Sequence, residues 1–273
     1  MSSRQWIPNY AIFKTLPFTA AHPAAILPFR GRLIFSALVV GAMSPDFHYF
    51  VTLGPGGKAS HSLPGAFYLD LPLALIALCL FHWTLKLPLI SLLPEWHQQR
   101  LVRFAVPFRL GPPKRFLLIA ISLLIGIFSH LLWDSFTHGR GWMVQHVAFL
   151  RSMPLQQVGI YRPVSNWLQH LSTIVGLVVL MTSYSRWSRS VAPEQAAEKF
   201  KLSKRVKLAV ILVIGCVAAI AGATYGFEKS DHAVLLSTFA AYSTISFVTF
   251  GIAGLTLFSV LWHCSVRQAS TAT

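Results

Sequence analysis

The sequence predicts an all-α, polytopic membrane protein with about six transmembrane helices, the first of them preceded by a short N-terminal helix. Of its 273 residues, 54% are hydrophobic and only 11% are charged, which is the composition of an integral membrane protein. The apolar residues fall in long runs separated by short polar connections. The three cysteines have no CxxC spacing, so neither a disulfide framework nor a thiolate metal site is expected.

The first apolar segments are short. Thr19 is predicted as the N-cap of a short helix that ends near Phe29. Residues 33–44 are apolar, but they would form only about 18 Å of helix, which is short for a full span. Asp46 follows this segment, and a loop rich in glycine and proline then leads to His61.

Five longer apolar runs follow, each long enough to cross a bilayer. They comprise residues 67–86, 116–136, 164–184, 206–227 and 238–262. The last two runs carry no chemical motif. The sequence therefore predicts a motif-bearing membrane domain at 1–185, a basic cytoplasmic connection at 186–206 and a C-terminal transmembrane hairpin at 207–273.

Lysine and arginine are concentrated in two connections, with six in residues 86–115 and seven in residues 185–207. The connections 45–66, 137–163 and 228–237 carry one, three and one. By the positive-inside rule, the two basic connections are predicted to lie in the cytoplasm. The net charge of +15 is therefore explained by these cytoplasmic connections and by their attraction to anionic membrane lipid. No nucleic-acid partner is expected.

The central apolar run ends in a polar motif. His130, Asp134 and His138 recur every four residues, so they lie along one side of a helix. Ionisable groups in an apolar helix are costly unless they are paired or bound, so they mark a site. Imidazole and carboxylate at this spacing can bind one divalent cation, whereas the alternative is a polar seam between helices.

Further polar residues fall at the same, predicted extracytoplasmic end of the helices. Asp46 is notable because the chain has only eight acidic residues, and His61 and His170 also lie at this end. His138 is a candidate ligand or general acid, and His170 a candidate ligand or substrate-orienting group. Arg140 lies between two glycines and is a candidate phosphate contact, whereas the alternative is an ordinary interfacial arginine beside Trp142.

Several segments resemble a bacterial membrane family that is described as a domain of unknown function. They are Phe18–Pro23, Gly41–Phe47, His61–Gly65, Leu168–Thr173 and the helix motif His130-x-x-x-Asp134-x-x-Thr137. The order of histidines and aspartates is also similar to that of the YdjM-type inner-membrane proteins, which are called metal-dependent hydrolases. More distantly, it resembles the all-helical, zinc-dependent phospholipase C and P1 nuclease group.

The resemblance implies a ligand set, a cofactor and a reaction. Carried across by position, the metal ligands are His22, Asp46, His61, His130 and Asp134. The implied cofactor is a divalent metal, with zinc expected, and the implied reaction is phosphoester hydrolysis. The phospholipase group has a further HxxxE pair, for which Asn166-x-x-x-His170 is the nearest substitute, so one or two metal ions are expected here rather than three.

Two functions follow as hypotheses. The first is a metal-dependent hydrolase at the outer face of the bacterial inner membrane, acting on a phospholipid or a lipid-linked phosphoester. The second is a non-catalytic membrane protein, such as a transporter or scaffold, in which a polar or metal-binding seam is structural. Convergence of the implied ligands on a common point, beside an open cleft, would favour the first.

Overall fold

A computed structural model of the chain describes residues 19–195, 200–230 and 235–271, apart from the side chains of residues 235 and 267–271. Within these ranges the chain forms helices and no β-strand, so the predicted all-α fold is confirmed. The α-helices in chain order are α1 (Phe35–Met43), α2 (Phe47–Thr52), α3 (Leu63–Leu92), α4 (Glu95–Leu101), α5 (Pro113–Thr137), α6 (Trp142–His146), α7 (Ala148–Arg151), α8 (Val164–Ser190), α9 (Lys204–Glu228) and α10 (Leu235–Thr271).

Five helices of the described residues are long and apolar enough to cross a membrane, namely α3, α5, α8, α9 and α10. The polytopic architecture is therefore confirmed. The apolar segment predicted at residues 33–44 forms α1, whose nine residues extend only about 14 Å. This is less than half of a hydrocarbon core of about 30 Å. A 3₁₀ turn at Ser44–Asp46 and the short helix α2 then redirect the chain.

The N-terminal segment differs in detail from the predicted single helix. It consists of two 3₁₀ helices, Thr19–Ala24 and Leu27–Phe29. Each contains a proline, which lacks the N–H group that a continuous α-helix would need. The hydroxyl of Thr19 donates a hydrogen bond to the carboxylate of Asp46, and this contact fixes the segment against the end of α1.

Two glycines allow α1 and α5 to pack in direct backbone contact. A Cβ atom on Gly41 would overlap the carbonyl group of Leu123, and one on Gly126 would overlap the carbonyl oxygen of Leu38. Small residues are the usual means of bringing membrane helices this close. As a result, the last turns of α1 lie directly against the middle of α5, one turn before His130.

The two basic connections contact each other at one end of the helices. Arg103 Nη2 lies 2.7 Å from Glu194 Oε1, and Arg100 Nε donates a hydrogen bond to the carbonyl oxygen of Ser188 at 2.6 Å. Residues 196–199 of the second connection lie outside the described residues. Helix α5 begins near this end, so its C-terminal turns, with the polar motif, lie at the opposite end.

The C-terminal helices α9 and α10 pack against each other along their length. Helix α10 contacts α2 and α3, and Lys207 Nζ of α9 donates to the carbonyl oxygen of Leu93 at 2.6 Å. Thr249 Oγ1 donates to the carbonyl oxygen of Phe50 at 3.1 Å, and His263 Nε2 donates to that of Thr84 at 3.0 Å. Among the described residues, this hairpin contributes no side chain to the polar motif at the end of α5.

Candidate metal centre

A polar cluster surrounds the C-terminal turns of α5. Four parts of the chain contribute to it: the 3₁₀ helix 19–24, the turn after α1, the loop before α3, and the end of α5. The residues are, in that order, His22, Asp46, His61, and the trio His130, Asp134 and His138. Asp46 and His130 are completely buried and Asp134 is 5% exposed, so the cluster is part of the protein interior.

The four-residue spacing of the α5 motif places its side chains next to one another, as the sequence predicts. His130 Nε2 lies 3.2 Å from Asp134 Oδ2. His138 Nδ1, just beyond the last turn, lies 3.3 Å from the other oxygen, Asp134 Oδ1. The Asp134 carboxylate therefore presents one oxygen to each of two groups of imidazoles.

Four atoms form the central set: Asp46 Oδ1, His61 Nε2, His130 Nε2 and Asp134 Oδ2. His61 Nε2 lies 3.4 Å from both carboxylate oxygens, and His130 Nε2 lies 3.8 Å from Asp46 Oδ1 and 3.2 Å from Asp134 Oδ2. In a tetrahedral zinc site with bonds of about 2.0–2.2 Å, neighbouring ligand atoms lie about 3.3–3.6 Å apart. These four distances, 3.2–3.8 Å, are close to that spacing, so the central set can supply ligands to one ion.

Backbone carbonyl groups fix the orientation of two imidazoles. His130 Nδ1 is 2.8 Å from the carbonyl oxygen of Ala42, and His61 Nδ1 is 3.1 Å from that of Gly57. A carbonyl oxygen can only accept, so each Nδ1 carries the proton and each Nε2 of a neutral ring presents a lone pair to the cluster. Metal-binding histidines are held by this kind of contact.

The atoms that face the middle of the cluster are unsatisfied. Within the part of the chain that the structure describes, five buried atoms there have no hydrogen-bond partner: Asp46 Oδ1, His61 Nε2, His130 Nε2, Asp134 Oδ1 and Asp134 Oδ2. Burying polar atoms without partners is costly, and buried carboxylates need a compensating positive charge. A divalent cation would satisfy the lone pairs and the charge together.

A second group of ligand atoms surrounds the other oxygen of Asp134. His22 Nε2 lies 3.7 Å from Asp134 Oδ1, and the His22 ring stacks on that of His130 with 3.8 Å between centroids. His22, His130 and Asp134 each offer a ligand atom within 4.8 Å of the others, as do Asp46, His61 and His130. The cluster therefore has ligand atoms for one ion or for two neighbouring ions.

The charges of the cluster affect the two histidines that lie outside the transmembrane helices. Burial disfavours the charged form of His61, but the carboxylates of Asp134 and Asp46 outweigh this effect and raise its pKa to about 10. For His22, burial and then the neighbouring His130 lower the pKa to about 4. The carboxylates thus favour a positive charge at His61, and a metal ion that binds there takes the place of the His61 proton; His22 is kept neutral, which is the form that binds metal.

The family comparison identifies a domain of unknown function. The family model described as "Domain of unknown function (DUF4184)" matches residues 16–262. The chain belongs to this family. Comparison with curated proteins and with solved structures finds no match. The DUF4184 match includes all residues of the polar cluster, so the cluster belongs to the family domain rather than to an extension of it.

The structure of this DUF4184 chain brings together His22, Asp46, His61, His130 and Asp134, which are the five ligands implied by the resemblance, with His138 beside them. It does not bring the remaining two candidates to the cluster. His170 has no hydrogen bond, ion pair or ring contact with the cluster among the described residues, and Arg140 is exposed in the loop after α5. Their predicted roles remain predictions.

One buried carboxylate was not assigned a role from the sequence. Asp70 is completely buried, and neither of its oxygens has a hydrogen-bond partner among the described residues. It ends a π-helical segment of α3, Ala66–Asp70, and such segments often occur at functional sites. Asp70 offers no atom to the two ligand groups described above. The scarcity of acidic residues that singled out Asp46 and Asp134 would also have identified Asp70.

The hydrogen bond from Thr19 to Asp46 provides a test of how the ligands are held. Thr19 Oγ1 lies 2.5 Å from Asp46 Oδ2, so it orients the carboxylate and leaves Oδ1 free for the central set. We expect Thr19→Val to weaken divalent-metal affinity by about tenfold or more, which is the usual effect of losing a residue that orients a ligand.

Competition with a chelating dye measures this change in affinity. The control is Thr52→Val, because the Thr52 hydroxyl bonds only to its own helix; equal affinities of the two variants would contradict the assignment.

Proposed function

We propose that this protein is a membrane-bound, metal-dependent hydrolase that acts on a phosphoester of a lipid or lipid-linked substrate. The observation that carries this proposal is the central set: four buried ligand atoms without hydrogen-bond partners, in which each imidazole nitrogen lies 3.2–3.8 Å from both carboxylates. Two imidazoles and two carboxylates form a donor set that suits zinc.

An opening beside the cluster favours catalysis over a structural role. Structural zinc sites are closed by protein ligands, whereas catalytic sites keep a position open to water or substrate. Here His22, Asp134 and His138 line a cleft of about 400 Å³ that also reaches the side of α8. A substrate in this cleft would have direct access to the Asp134 side of the cluster.

The cluster residues can be given distinct tasks. Asp46, His61, His130 and Asp134 would hold the metal, and a bound divalent ion supplies Lewis-acid chemistry by polarising a phosphoryl oxygen and activating water near neutral pH. His22 and the free oxygen of Asp134 would hold a second ion. His138 lines the cleft at 3.3 Å from Asp134 Oδ1, so its imidazole can give a proton to the leaving oxygen of the substrate.

The location of the cluster favours a lipid substrate at the extracytoplasmic face. The cluster lies at the end of α5 opposite the two contacting basic connections. The positive-inside rule assigns basic connections to the cytoplasm, which would place the cluster at the outer surface of a bacterial inner membrane. Lipid headgroups are the phosphoesters that are concentrated at this depth.

Hydrolysis of a phosphoester panel is the test of this function. The purified protein, reconstituted with zinc or manganese, would be incubated with phospholipids and with soluble phosphoesters, and the released phosphate or headgroup measured. We expect metal-dependent turnover that falls by about 100-fold or more in Asp134→Asn, because this residue contacts both ligand groups. A protein that binds its full metal content but hydrolyses nothing above the metal-free background would instead support a structural metal seam in a transporter or scaffold.

A further inference from the structure

The cleft beside the metal centre lies between three parts of the chain. One wall is the N-terminal segment at Ala21, Ala24 and Ala25, a second is the end of α5, and the third is α8 from Leu168 to Val179. Trp133 Nε1 of α5 donates to Ser172 Oγ of α8 at 3.2 Å and joins two of these walls. The cleft and the metal centre are continuous, because His22 and Asp134 belong to both.

The lining changes from polar to apolar along the cleft. At the cluster it contains imidazole, carboxylate and the side chains of Thr137 and Gln169. Further along α8 it contains Leu171, Val175 and Val179, together with Ser172 and Thr173, whose hydroxyls donate to the carbonyl oxygen of Gln169. Gln169 is about 8 Å and Val179 about 22 Å along α8 from its first residue, Val164. The apolar part of the cleft therefore extends toward the middle of a membrane helix.

Water does not bind well in the apolar part of the cleft, because a buried water needs several polar partners and apolar cavities stay dry. The bilayer offers a better occupant. Leu171 and Val175 are 59% and 52% exposed, so the flank of α8 beside the cleft is directly accessible to lipid. A volume of about 400 Å³ is also within the range of about 300–1,000 Å³ that is typical of ligand pockets.

We infer that the cleft binds the hydrocarbon chain of a membrane lipid whose phosphate group lies at the metal centre. The substrate then enters sideways from the bilayer, with its chain between α8 and the N-terminal segment and its headgroup at His22, Asp134 and His138. This inference rests on the proposed function for the identity of the site, and it adds where the hydrocarbon chain of the lipid substrate binds. Soluble phosphoesters lack the chain and are expected to be poor ligands.

A pair of matched substitutions on α8 tests the inference. Val175 lines the cleft, whereas Val178 does not, yet the two side chains are almost equally exposed at 52% and 53%. Val175→Trp is expected to fill the apolar part of the cleft, and Val178→Trp to change only the lipid-facing surface. Leu171→Trp and Ile174→Trp, at 59% and 61% exposure, form a second pair in case the first variant fails to fold.

The readout is crosslinking rather than activity. The full-length protein in vesicles that contain a phospholipid with a photoactivatable acyl chain would be irradiated, and the labelled peptides identified by mass spectrometry. In the wild type we expect labelling of residues 21–25 and 168–179. In Val175→Trp we expect about tenfold less labelling, because about two methylene groups of the lipid chain would lose their buried site. We expect Val178→Trp to be labelled like the wild type, and both variants to keep their metal.

The outcomes separate this inference from the proposed function. Labelling of the cleft that is equal in Val175→Trp and Val178→Trp, or absent from the wild type, would overturn the lipid site even if hydrolysis is observed. Selective labelling in a protein that hydrolyses no phosphoester would support the lipid site and remove the hydrolase. Turnover of soluble phosphoesters at the same rate as lipids would also count against the inference.

Discussion

Replacing Asp134 with asparagine is expected to remove divalent metal from the purified protein. Its two oxygens face different imidazoles: Oδ2 lies near His61 and His130, and Oδ1 near His22 and His138. Asparagine keeps the shape but removes the negative charge that binds the cation. We expect metal affinity to fall by about 100-fold or more, beyond the effect of losing a residue that only orients a ligand. Elemental analysis after dialysis against a weak chelator measures the change.

Asp70→Asn is the matched control for this experiment. Asp70 is also a buried aspartate near the end of a membrane helix, but it offers no atom to either ligand group. The substitution removes a buried carboxylate that has no hydrogen-bond partner among the described residues, so we expect retained metal and unchanged or higher thermal stability. An Asp134→Asn protein that retains as much metal as the wild type would refute the assignment of Asp134.

A substitution at a residue outside the ligand set, Gly126→Val, is expected to have the second largest effect on metal affinity. Gly126→Val places a side chain where the backbone of α1 now lies, so α1 and α5 must separate. Separation moves the carbonyl group of Ala42 away from His130 Nδ1, so the His130 ring is no longer held in one orientation. We expect the free energy of unfolding to fall by about 1–3 kcal/mol, as in overpacked cores. We also expect metal affinity to fall by about 10–100-fold.

Gly251→Val serves as the control, because an added Cβ at Gly251 of α10 meets no atom within 4 Å. Both variants introduce the same β-branched residue into a transmembrane helix, so the difference between them reports helix packing alone. The melting temperature in detergent and the metal content are the measurements. If Gly126→Val melts like Gly251→Val and keeps its metal, close packing of α1 and α5 does not support the centre.

Local periodicity explains why part of the site could be predicted from sequence. The interval of four residues between His130, Asp134 and His138 determines their common face on any α-helix, whatever the fold around it. The all-α polytopic fold followed in the same way from the length of the apolar runs. These features depend on neighbouring residues only.

The convergence of the other ligands depends on the path of the chain, which periodicity does not determine. His61 reaches the centre because the loop after α2 returns to the end of α5, and His22 because its 3₁₀ helix is fixed by Thr19. The resemblance, rather than any spacing, implied these two positions. His170 has the right depth on α8 but makes no contact with the cluster. The sequence alone does not determine toward which neighbouring helix a single histidine points.

Distant contacts also account for the features that sequence reasoning missed. Asp70 was overlooked because it stands alone in an apolar run, without a histidine at helical spacing. The cleft is formed by residues more than 100 positions apart, such as Ala21 and Val175, whose types are ordinary for lipid-facing helices. Neither feature is visible until the helices are packed.

X-ray absorption spectroscopy at the zinc edge, on protein reconstituted with one equivalent of zinc, tests the central claim most directly. The predicted result is a first shell of nitrogen and oxygen atoms at about 2.0–2.2 Å, with outer-shell scattering from imidazole rings, and loss of this signal in Asp134→Asn. Zinc that is absent after reconstitution, bound through sulfur, or unchanged by Asp134→Asn would contradict the account.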